Sequence, residues 1–272
     1  MVTQEQRKRQ LAREKFLRQQ QRRTSARRKA RMRNSVIASV LGVILVGSVA
    51  LYTTNAFKKD DDKSNANAEV SPSASPSKAP DPCEKAAKGS VKKLSWKKEP
   101  AMSIDKSADY SMKLATTCGD IDIALKASAA PHTVNSFDFL AGKGYFDHTK
   151  CHRLTTNGIY VLQCGDPTAS GSGGPGYTIP DENLKDKSLK DNVYPAGTIA
   201  MANTGQKHTG GSQFFLVYQD SQLPPSYTPF GTVSASGMKV LKKIAAAGEN
   251  TGAGDGAPNA TVVIDKATVT KS

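Results

Sequence analysis

The sequence predicts a mainly β domain over residues 96–272, a barrel capped at its ends by two helices. Short runs that alternate apolar and polar residues recur through this region between Gly, Asn and Asp turn signals, as in proteins built from many short strands. Two longer stretches have the apolar spacing of a helix. The chain has 272 residues, which is long enough for such a domain to bury a substantial core.

The first two strands are predicted at residues 110–115 and 121–125, on either side of a turn at residues 117–120. Both runs alternate apolar and polar side chains, which indicates a β-hairpin with one buried face. Cys118 lies in the turn. A flanking segment that carries Cys83 can be joined to the hairpin there.

Two helices and a last strand complete the predicted elements. The first helix is expected at residues 131–140, with proline in its first turn and glycine just past its end. Its apolar residues share one face, which suits a cap on a barrel end: Val134, Phe137 and Leu140. The second helix is expected at residues 238–246, before Gly248, and the last strand at residues 261–264.

Residues 151–166, CHRLTTNGIYVLQCGD, are predicted to form a second hairpin that turns near an Asn-Gly pair. Symmetric pairing of its arms places Cys151 opposite Cys164. Directly opposed Cα atoms lie about 5.5 Å apart, a distance that a disulfide can span. The same pairing brings Arg153 and Gln163 to neighbouring strands.

Four cysteines are present, and no two have the C-x-x-C spacing of a zinc or redox site. In an oxidising compartment two disulfides are expected. Of the three possible connectivities we favour Cys151–Cys164 together with Cys83–Cys118. In a reducing compartment the same residues would be small core side chains.

Residues 196–218, AGTIAMANTGQKHTGGSQFFLVY, contain two strand-like runs joined by a polar loop with three glycines. Exposed backbone at the end of a strand can pair with the backbone of a bound peptide, and small residues let that peptide approach closely. An aromatic side chain such as Phe215 can form the floor of a pocket beside it. This stretch therefore indicates a site for an extended peptide.

The first 57 residues are predicted to anchor the chain in a membrane. Residues 1–33 carry thirteen Lys and Arg and two Glu, which accounts for +11 of the formal net charge of +14, and residues 34–57 carry no charge. The apolar centre, residues 36–52, is about long enough to cross the ~30 Å hydrocarbon core of a bilayer. The positive-inside rule then places the N-terminus in the cytoplasm and the folded domain outside the cell membrane. We expect an uncleaved signal-anchor, because the basic region is too long for a signal peptide and no good cleavage site follows.

The regions on either side of the anchor are expected to lack a core. The basic cytoplasmic tail, residues 1–33, adjoins the apolar segment, so we expect it to lie against anionic lipid and not to bind nucleic acid. Residues 58–95 are rich in Pro, Ser and Lys and poor in apolar residues, which predicts a disordered linker. A flexible chain of that length reaches roughly 30–40 Å. It would hold the domain, residues 96–272, away from the membrane.

Four segments together resemble the cyclophilins, the peptidyl-prolyl cis–trans isomerases. They are HRLTTNGIYVLQCGD at 152–166, GSGGPGYTIPDEN at 171–183, MANTGQKHTGGSQFF at 201–215 and TPFG at 228–231. Their order and spacing are those of the cyclophilin domain, and the likeness covers residues 96–272. The resemblance implies a closed, eight-stranded antiparallel barrel capped by two helices. The anchored arrangement is similar to that of extracytoplasmic cyclophilins of actinobacteria, which implies a role in extracytoplasmic protein folding.

The resemblance also implies a mechanism that needs no cofactor or metal. Rotation about an X–Pro amide breaks no bond but meets a barrier of about 18–20 kcal/mol. Arg153 matches the catalytic arginine of the family and would donate to the prolyl nitrogen as the amide twists. Gln163 matches an active-site glutamine that braces this arginine. Asn203 would pair with the peptide backbone.

The remaining site residues come from the same resemblance, which implies that they line the substrate groove and proline pocket: Tyr160, Val161, Ala202, Gln213, Phe215, Leu223 and Tyr227. Tyr227 stands where the family often has a histidine. Either Gln222 or Leu223 stands where many cyclophilins have a tryptophan that contributes to cyclosporin binding, so we expect weak binding of that drug.

The partners implied are proline-containing unfolded or secreted polypeptides, met by a monomeric catalytic domain. Two alternatives remain open: a module that binds proline-containing segments without catalysis, and a general holdase chaperone. The first predicts peptide affinity without acceleration. The second predicts suppression of aggregation that persists when Arg153 is lost.

Overall fold

The computed structural model describes residues 80–272. The predicted basic tail, the signal-anchor and most of the linker lie outside the described residues. Within residues 80–272, neither helix has the length and apolar character needed to span a bilayer.

Residues 80–272 form twelve strands, two α-helices and one short 3₁₀ turn. The strands are β1 (Tyr110–Thr116), β2 (Gly119–Leu125), β3 (Thr149–Lys150), β4 (Arg153–Thr155), β5 (Val161–Cys164), β6 (Val193–Tyr194), β7 (Thr198–Met201), β8 (Phe214–Val217), β9 (Ser221–Gln222), β10 (Pro229–Val233), β11 (Asp255–Gly256) and β12 (Val263–Lys271). The helices are α1 (Pro131–Gly142) and α2 (Ala235–Ala246), and the 3₁₀ turn is Lys190–Asn192. The predicted mainly β fold with two helices is confirmed.

Ten strands form one curled antiparallel sheet in the order β11-β4-β5-β8-β7-β10-β2-β1-β12-β3, and β6 pairs with β9 separately. This sheet is not the closed, eight-stranded barrel that the resemblance implies. Eight of its strands have three residues or more, and the two extra strands, β3 and β11, have two residues each. They stand at the ends of the order, and within the described residues no ladder joins them.

The segment from β3 to β4 explains why the ladder does not close. Thr149 and Lys150 pair with β12, whereas Arg153 and Leu154 pair with β5. One short stretch of chain therefore divides its hydrogen bonds between the two ends of the sheet. It brings these ends together through the covalent chain and not through a continuous ladder.

Helix α1 packs on the sheet by the apolar face that the sequence predicts. The three apolar residues of α1 are completely buried: Val134, Phe137 and Leu140. The Phe137 ring packs 4.6 Å from that of Phe230 and 5.5 Å from that of Phe214, so α1 covers the main core. Helix α2 begins three residues earlier than expected, because the Ser234 side chain caps it by accepting from the Gly237 N–H at 3.1 Å.

Strand β8 is buried on both faces. Phe214 and Leu216 belong to the main core, whereas Phe215 and Val217 belong to a second, smaller apolar cluster. Successive side chains of a strand point to opposite faces, so the sheet separates these two clusters. The second cluster therefore lies on the face of the sheet opposite the main core.

The second hairpin forms with a register that differs by one residue from the symmetric one. Arg153 lies directly opposite Gln163, and Leu154 opposite Leu162. The two cysteines are nevertheless joined, as Cys151–Cys164, because the chain bends toward β12 at residue 151, whose N–H donates to the Val262 carbonyl. The other disulfide is Cys83–Cys118. Both disulfides have the favoured pairing.

Residues 81–104, here called the N-terminal strap, run over the domain surface. The Cys83–Cys118 disulfide fixes one end to the β1–β2 turn. Near the other end, the Asn135 side chain of α1 accepts from the Ser103 N–H at 2.8 Å. Between them, Trp96 packs edge-on against Phe139 of α1 at 5.0 Å. The folded region thus extends N-terminal of residue 96.

Candidate functional site

The candidate site is built on one row of residues that crosses four neighbouring strands. In order, the row is Arg153 on β4, Gln163 on β5, Phe215 on β8 and Ala200 on β7. Directly opposed residues of an antiparallel sheet project on the same face. A guanidinium, an amide and an aromatic ring therefore share one face although they lie far apart in the sequence.

A directed chain of hydrogen bonds runs along this row. Arg153 Nη1 donates to Gln163 Oε1 at 3.1 Å, and Gln163 Nε2 donates to Gln213 Oε1 at 2.9 Å. Gln213 Nε2 then donates to the Gly173 carbonyl at 2.9 Å. Because a guanidinium can only donate, it fixes the orientation of the first amide, and each amide fixes the next. The predicted residues Arg153, Gln163 and Gln213 are therefore brought together.

Asp255 is a member of the site that the sequence does not indicate. Its two carboxylate oxygens accept from Arg153 Nε and Nη2, both at 2.8 Å. This bidentate pair raises the pKa of Arg153 and, by the same hydrogen bonds, lowers the pKa of Asp255. The planes of the guanidinium and the carboxylate are thereby fixed to each other.

A short loop delivers Asp255 to the arginine. Strand β11 pairs with β4, where Asp255 lies opposite Thr155. The Glu249 carboxylate organises the preceding loop by accepting from the N–H groups of Thr251 at 2.6 Å and Gly254 at 2.9 Å. Since Asp255 is 102 residues from Arg153, no local pattern could have found the pair.

The second apolar cluster forms the pocket beside the arginine. It contains Phe215 and Val161, and Ala202, Leu223 and Tyr227 pack against it. The rings of Phe215 and Tyr227 meet edge to face at 5.4 Å. Five of the predicted pocket residues are thus gathered in one cluster around the Phe215 ring.

Tyr160 lies at the main core, whereas the segment after β8 contributes a side chain to the second apolar cluster. The Tyr160 ring packs against Tyr218 at 5.9 Å and borders the main core, so the structure does not gather it with the other pocket residues. Of the two candidates for the family's tryptophan position, Leu223 packs on the pocket, whereas Gln222 is exposed on β9. An aliphatic side chain therefore stands at that edge.

Asn203 uses its side chain to shape the loop next to the pocket. Its Nδ2 donates to the Ser226 carbonyl at 2.8 Å, and its Oδ1 accepts from the Gly205 N–H at 2.9 Å. The side-chain amide is therefore engaged within the protein.

A cavity of about 860 Å³ adjoins the row, and Gln163, Asn203 and Gln213 are among the residues that line it. A glycine-rich loop, residues 171–176, and part of the N-terminal strap form other walls of this cavity. A cavity of this size accommodates several residues of an extended peptide.

Asp166 shapes the glycine-rich loop from beneath. Its buried carboxylate accepts from the N–H groups of Thr168 and Gly171 at 2.7 Å and Gly173 at 3.0 Å. Burial alone raises the pKa of Asp166, but the hydrogen bonds from Thr168, Gly173 and Gly171 outweigh it and lower the pKa to about 2. The sequence does not indicate this role.

His152, next to Arg153, has two buried ring nitrogens without a hydrogen-bond partner in residues 80–272. Burial lowers its pKa, and the Arg153 charge adds to that effect while Asp166 opposes it. The imidazole is therefore held neutral, as a packed residue and not as a base in the site.

The assembled groups can hold a peptide chain and orient the Arg153 guanidinium toward it, without covalent chemistry. Within residues 80–272, no cluster of three or more His, Cys, Asp or Glu side chains is placed to hold a metal ion. An apolar cluster around Phe215 shares a sheet face with a guanidinium that is held by an amide and a carboxylate. This arrangement suits an apolar ring next to a group that gains electron density.

Comparison with known proteins points to one family. Residues 111–269 match the family model described as cyclophilin type peptidyl-prolyl cis-trans isomerase/CLD. A protein of Mycobacterium leprae named "Probable peptidyl-prolyl cis-trans isomerase B" is 51% identical over 166 residues, which cover 58% of this chain and 56% of that protein. The Bacillus subtilis protein named "Peptidyl-prolyl cis-trans isomerase B" is 39% identical over 125 residues, which cover 46% of this chain and 82% of the relative.

A solved structure supports the fold. The crystal structure of a Cryptosporidium parvum cyclophilin type peptidyl-prolyl cis-trans isomerase aligns with a TM-score of 0.50 and 26% identity, covering 60% of this chain and 99% of that one. This chain spans about half the length of the curated mycobacterial relatives that it matches, 56% and 53%. The shared region includes the whole row from Arg153 to Phe215.

Proposed function

The chain belongs to the cyclophilin-type peptidyl-prolyl cis–trans isomerase family, and from this membership we propose that it accelerates X–Pro isomerisation with Arg153 as the catalytic group. The observation that carries the proposal is the clamped guanidinium beside the apolar pocket. The proline ring occupies the pocket over Phe215. Because the reaction breaks no covalent bond, it then needs only a hydrogen-bond donor at the prolyl nitrogen.

Arg153 retains the donors that this role requires. A guanidinium has five N–H groups, and Gln163 and Asp255 accept from three of them. The two N–H groups that remain are fixed in direction by the three that are engaged. As the amide twists, its nitrogen lone pair leaves conjugation and becomes a hydrogen-bond acceptor. A donor there stabilises the twisted state more than the planar one, which is the condition for catalysis.

The peptide is held by the groups around the arginine. Its backbone pairs with the main chain at Asn203, beside Ala202 in the pocket wall. Gln213 lines the same groove and is fixed by Gln163 and Gly173. This orientation lowers the entropic cost of aligning the X–Pro bond with Arg153.

We place the domain outside the cell membrane, on an anchor formed by residues 34–57 with the N-terminus in the cytoplasm. The uncharged segment and the basic residues before it support this topology. Two disulfides in the domain fit an oxidising compartment. The substrates are then proline-containing secreted polypeptides that fold outside the cytoplasm, and the domain acts on them as a monomer. Leu223 at the pocket edge predicts weak cyclosporin binding.

The test is isomerisation of a proline peptide by the full-length protein. Removal of one donor that acts in a transition state costs roughly 10²–10³ in rate, so Arg153→Ala is expected to lower kcat/KM by about that factor while leaving the fold intact. Arg153→Lys keeps the charge but loses the planar fork, and is expected to remain strongly impaired. Turnover unchanged in Arg153→Ala contradicts the mechanism. Peptide binding without acceleration by the wild type indicates a binding module instead.

A further inference from the structure

One wall of the cavity comes from the N-terminal strap. Lys97, Lys98 and Glu99 line it together with Gln163 and Gln213 of the candidate site. The family model matches residues 111–269, so this wall is contributed from outside the matched region. The three charged residues of this wall therefore lie N-terminal to the matched region.

The strap is held on both sides of its two lysines. On one side, the Trp96 N–H donates to the Pro175 carbonyl of the glycine-rich loop at 2.8 Å, and the Trp96 ring contacts Phe139. On the other side, Glu99 Oε1 and His132 Nδ1 of α1 are 2.6 Å apart. The backbone of residues 97–98 is thereby presented to the cavity in a defined position.

This wall carries two lysines and one glutamate, so its net charge is positive. Lys97 and Lys98 are exposed and have no ion-pair or hydrogen-bond partner among the described residues. The third charged residue, Glu99, is engaged by His132. Arg153, at the neighbouring site, is already paired with Asp255. The unpaired charges that line the cavity are therefore the two lysines.

We propose that this wall is a subsite for an acidic side chain of the bound peptide, so that Asp or Glu near an X–Pro bond is preferred over Lys or Arg. A cleft with a net charge raises the local concentration of ligands of the opposite sign. Because the strap is fixed before the peptide arrives, the two lysine side chains are the parts of the strap that lose freedom on binding. The inference rests on the proposed isomerase function and names a substrate class for it.

The size of the preference follows from the exposure of the lysines. Exposed ion pairs are weak and are screened by salt. Two such contacts correspond to a preference in kcat/KM of roughly threefold to tenfold for Glu over Lys. The preference should shrink as the ionic strength rises.

The experiment uses the full-length protein and a neutral alanine-rich peptide with one X–Pro bond. Glu or Lys replaces each flanking alanine in turn, and isomerisation is measured by NMR exchange, which needs no coupling protease. At one or two flanking positions the wild type is expected to favour Glu over Lys threefold to tenfold. The double variant Lys97→Glu/Lys98→Glu should abolish or invert this ratio while it still accelerates the neutral peptide.

Lys93→Glu is the matched control, since Lys93 is an exposed lysine of the same strap that does not line the cavity. It should leave the ratio as in the wild type. Equal rates with Glu and Lys at every position, or a preference that survives in the double variant, overturn the inference. If the neutral peptide is not accelerated at all, the isomerase function fails. The affinities of the same Glu and Lys peptides, measured by NMR titration, then decide the subsite separately.

Discussion

At the scale of single residues, the catalytic proposal depends on how firmly the Arg153 guanidinium is held. Gln163 accepts one N–H, and Asp255 accepts two through both oxygens. The side chain of Asp255 is 55% exposed and that of Arg153 37%, so the pair contributes little to stability, about 1 kcal/mol at most. Its main effect is therefore on the direction of the arginine.

Asp255→Ala is accordingly expected to lower kcat about tenfold with little change in KM, because a misdirected catalytic group weakens the transition state more than substrate binding. Asp255→Asn keeps one acceptor oxygen, so its kcat should lie between those of Asp255→Ala and the wild type. Steady-state kinetics by NMR or a coupled assay measures both constants. Asp122→Ala, at an exposed carboxylate on β2, is the control that should change neither. An Asp255→Ala enzyme as fast as the wild type would show that Gln163 alone positions the guanidinium.

His152 predicts how stability depends on pH. Its pKa in the folded protein lies below its ordinary value of 6.5, chiefly because it is buried. The unfolded chain therefore binds a proton at a higher pH than the folded one does, and stability falls as the pH decreases below about 6.5. Thermal unfolding between pH 7 and 5 should show this loss, and His152→Leu should reduce the slope. His208→Asn, at an imidazole that is 63% exposed, should keep it.

Site residues that lie within local motifs can be predicted from the sequence, whereas one that meets its partner across a long sequence distance cannot. Arg153, Gln163, Gln213 and Phe215 fall within compact motifs, and all lie together in the structure. Asp255 meets its partner across 102 residues, so it depends on the closure of the sheet. Sequence patterns report local periodicity and not such pairings, which is why this residue was missed.

At the scale of elements, the strands and helices follow from the sequence more closely than their pairing does. The alternating runs predict β1 and β2, and the first helix has the expected start. The register of β4 with β5 differs by one residue from the symmetric one. Turn geometry and the bend at Cys151 decide that register, and neither is visible in the alternation of apolar residues.

The glycine-rich loop supplies a prediction at this scale, because one carboxylate holds it. Asp166→Asn replaces an acceptor oxygen by an NH₂ group that faces the backbone N–H donors of Gly171 and Gly173. The lost hydrogen bonds should cost about 1–3 kcal/mol of unfolding free energy, and a loosened cavity wall should raise KM more than it lowers kcat. Denaturant unfolding and steady-state kinetics test both effects. Asp109→Asn, a substitution at an exposed carboxylate, serves as the control. An unchanged KM in Asp166→Asn would show that the loop does not contribute to substrate binding.

At the scale of the whole molecule, the sheet and the strap complete the domain in ways that composition does not reveal. The proline-containing segment from residue 80 reads as linker, yet residues 81–104 are tied to the domain by a disulfide, an aromatic contact and backbone hydrogen bonds. Its low apolar content predicts disorder only for an isolated chain. A covalent bond to Cys118 supplies the constraint that the composition lacks.

The two disulfides allow the contributions of strap and site to be separated. Chain-entropy arguments assign about 4 kcal/mol of stability to Cys83–Cys118, whose loop spans 35 residues, and about 3 kcal/mol to Cys151–Cys164, whose loop spans 13. The double variant Cys83→Ser/Cys118→Ser should therefore be the less stable of the two in denaturant unfolding. It should retain turnover of a neutral peptide, because Cys83 and Cys118 belong neither to the row of site residues nor to the cavity lining.

The double variant Cys151→Ser/Cys164→Ser should lose less stability and more activity than Cys83→Ser/Cys118→Ser. Cys164 adjoins Gln163, and Cys151 is two residues from Arg153, so loss of this bond loosens the two strands that align the catalytic row. We expect kcat to fall although less stability is lost, when both variants are assayed under conditions where they remain folded. Equal activity losses in the two variants would mean that the hairpin disulfide has no special effect on the site. A larger activity loss in Cys83→Ser/Cys118→Ser would mean that activity follows global stability or the strap, and not the hairpin.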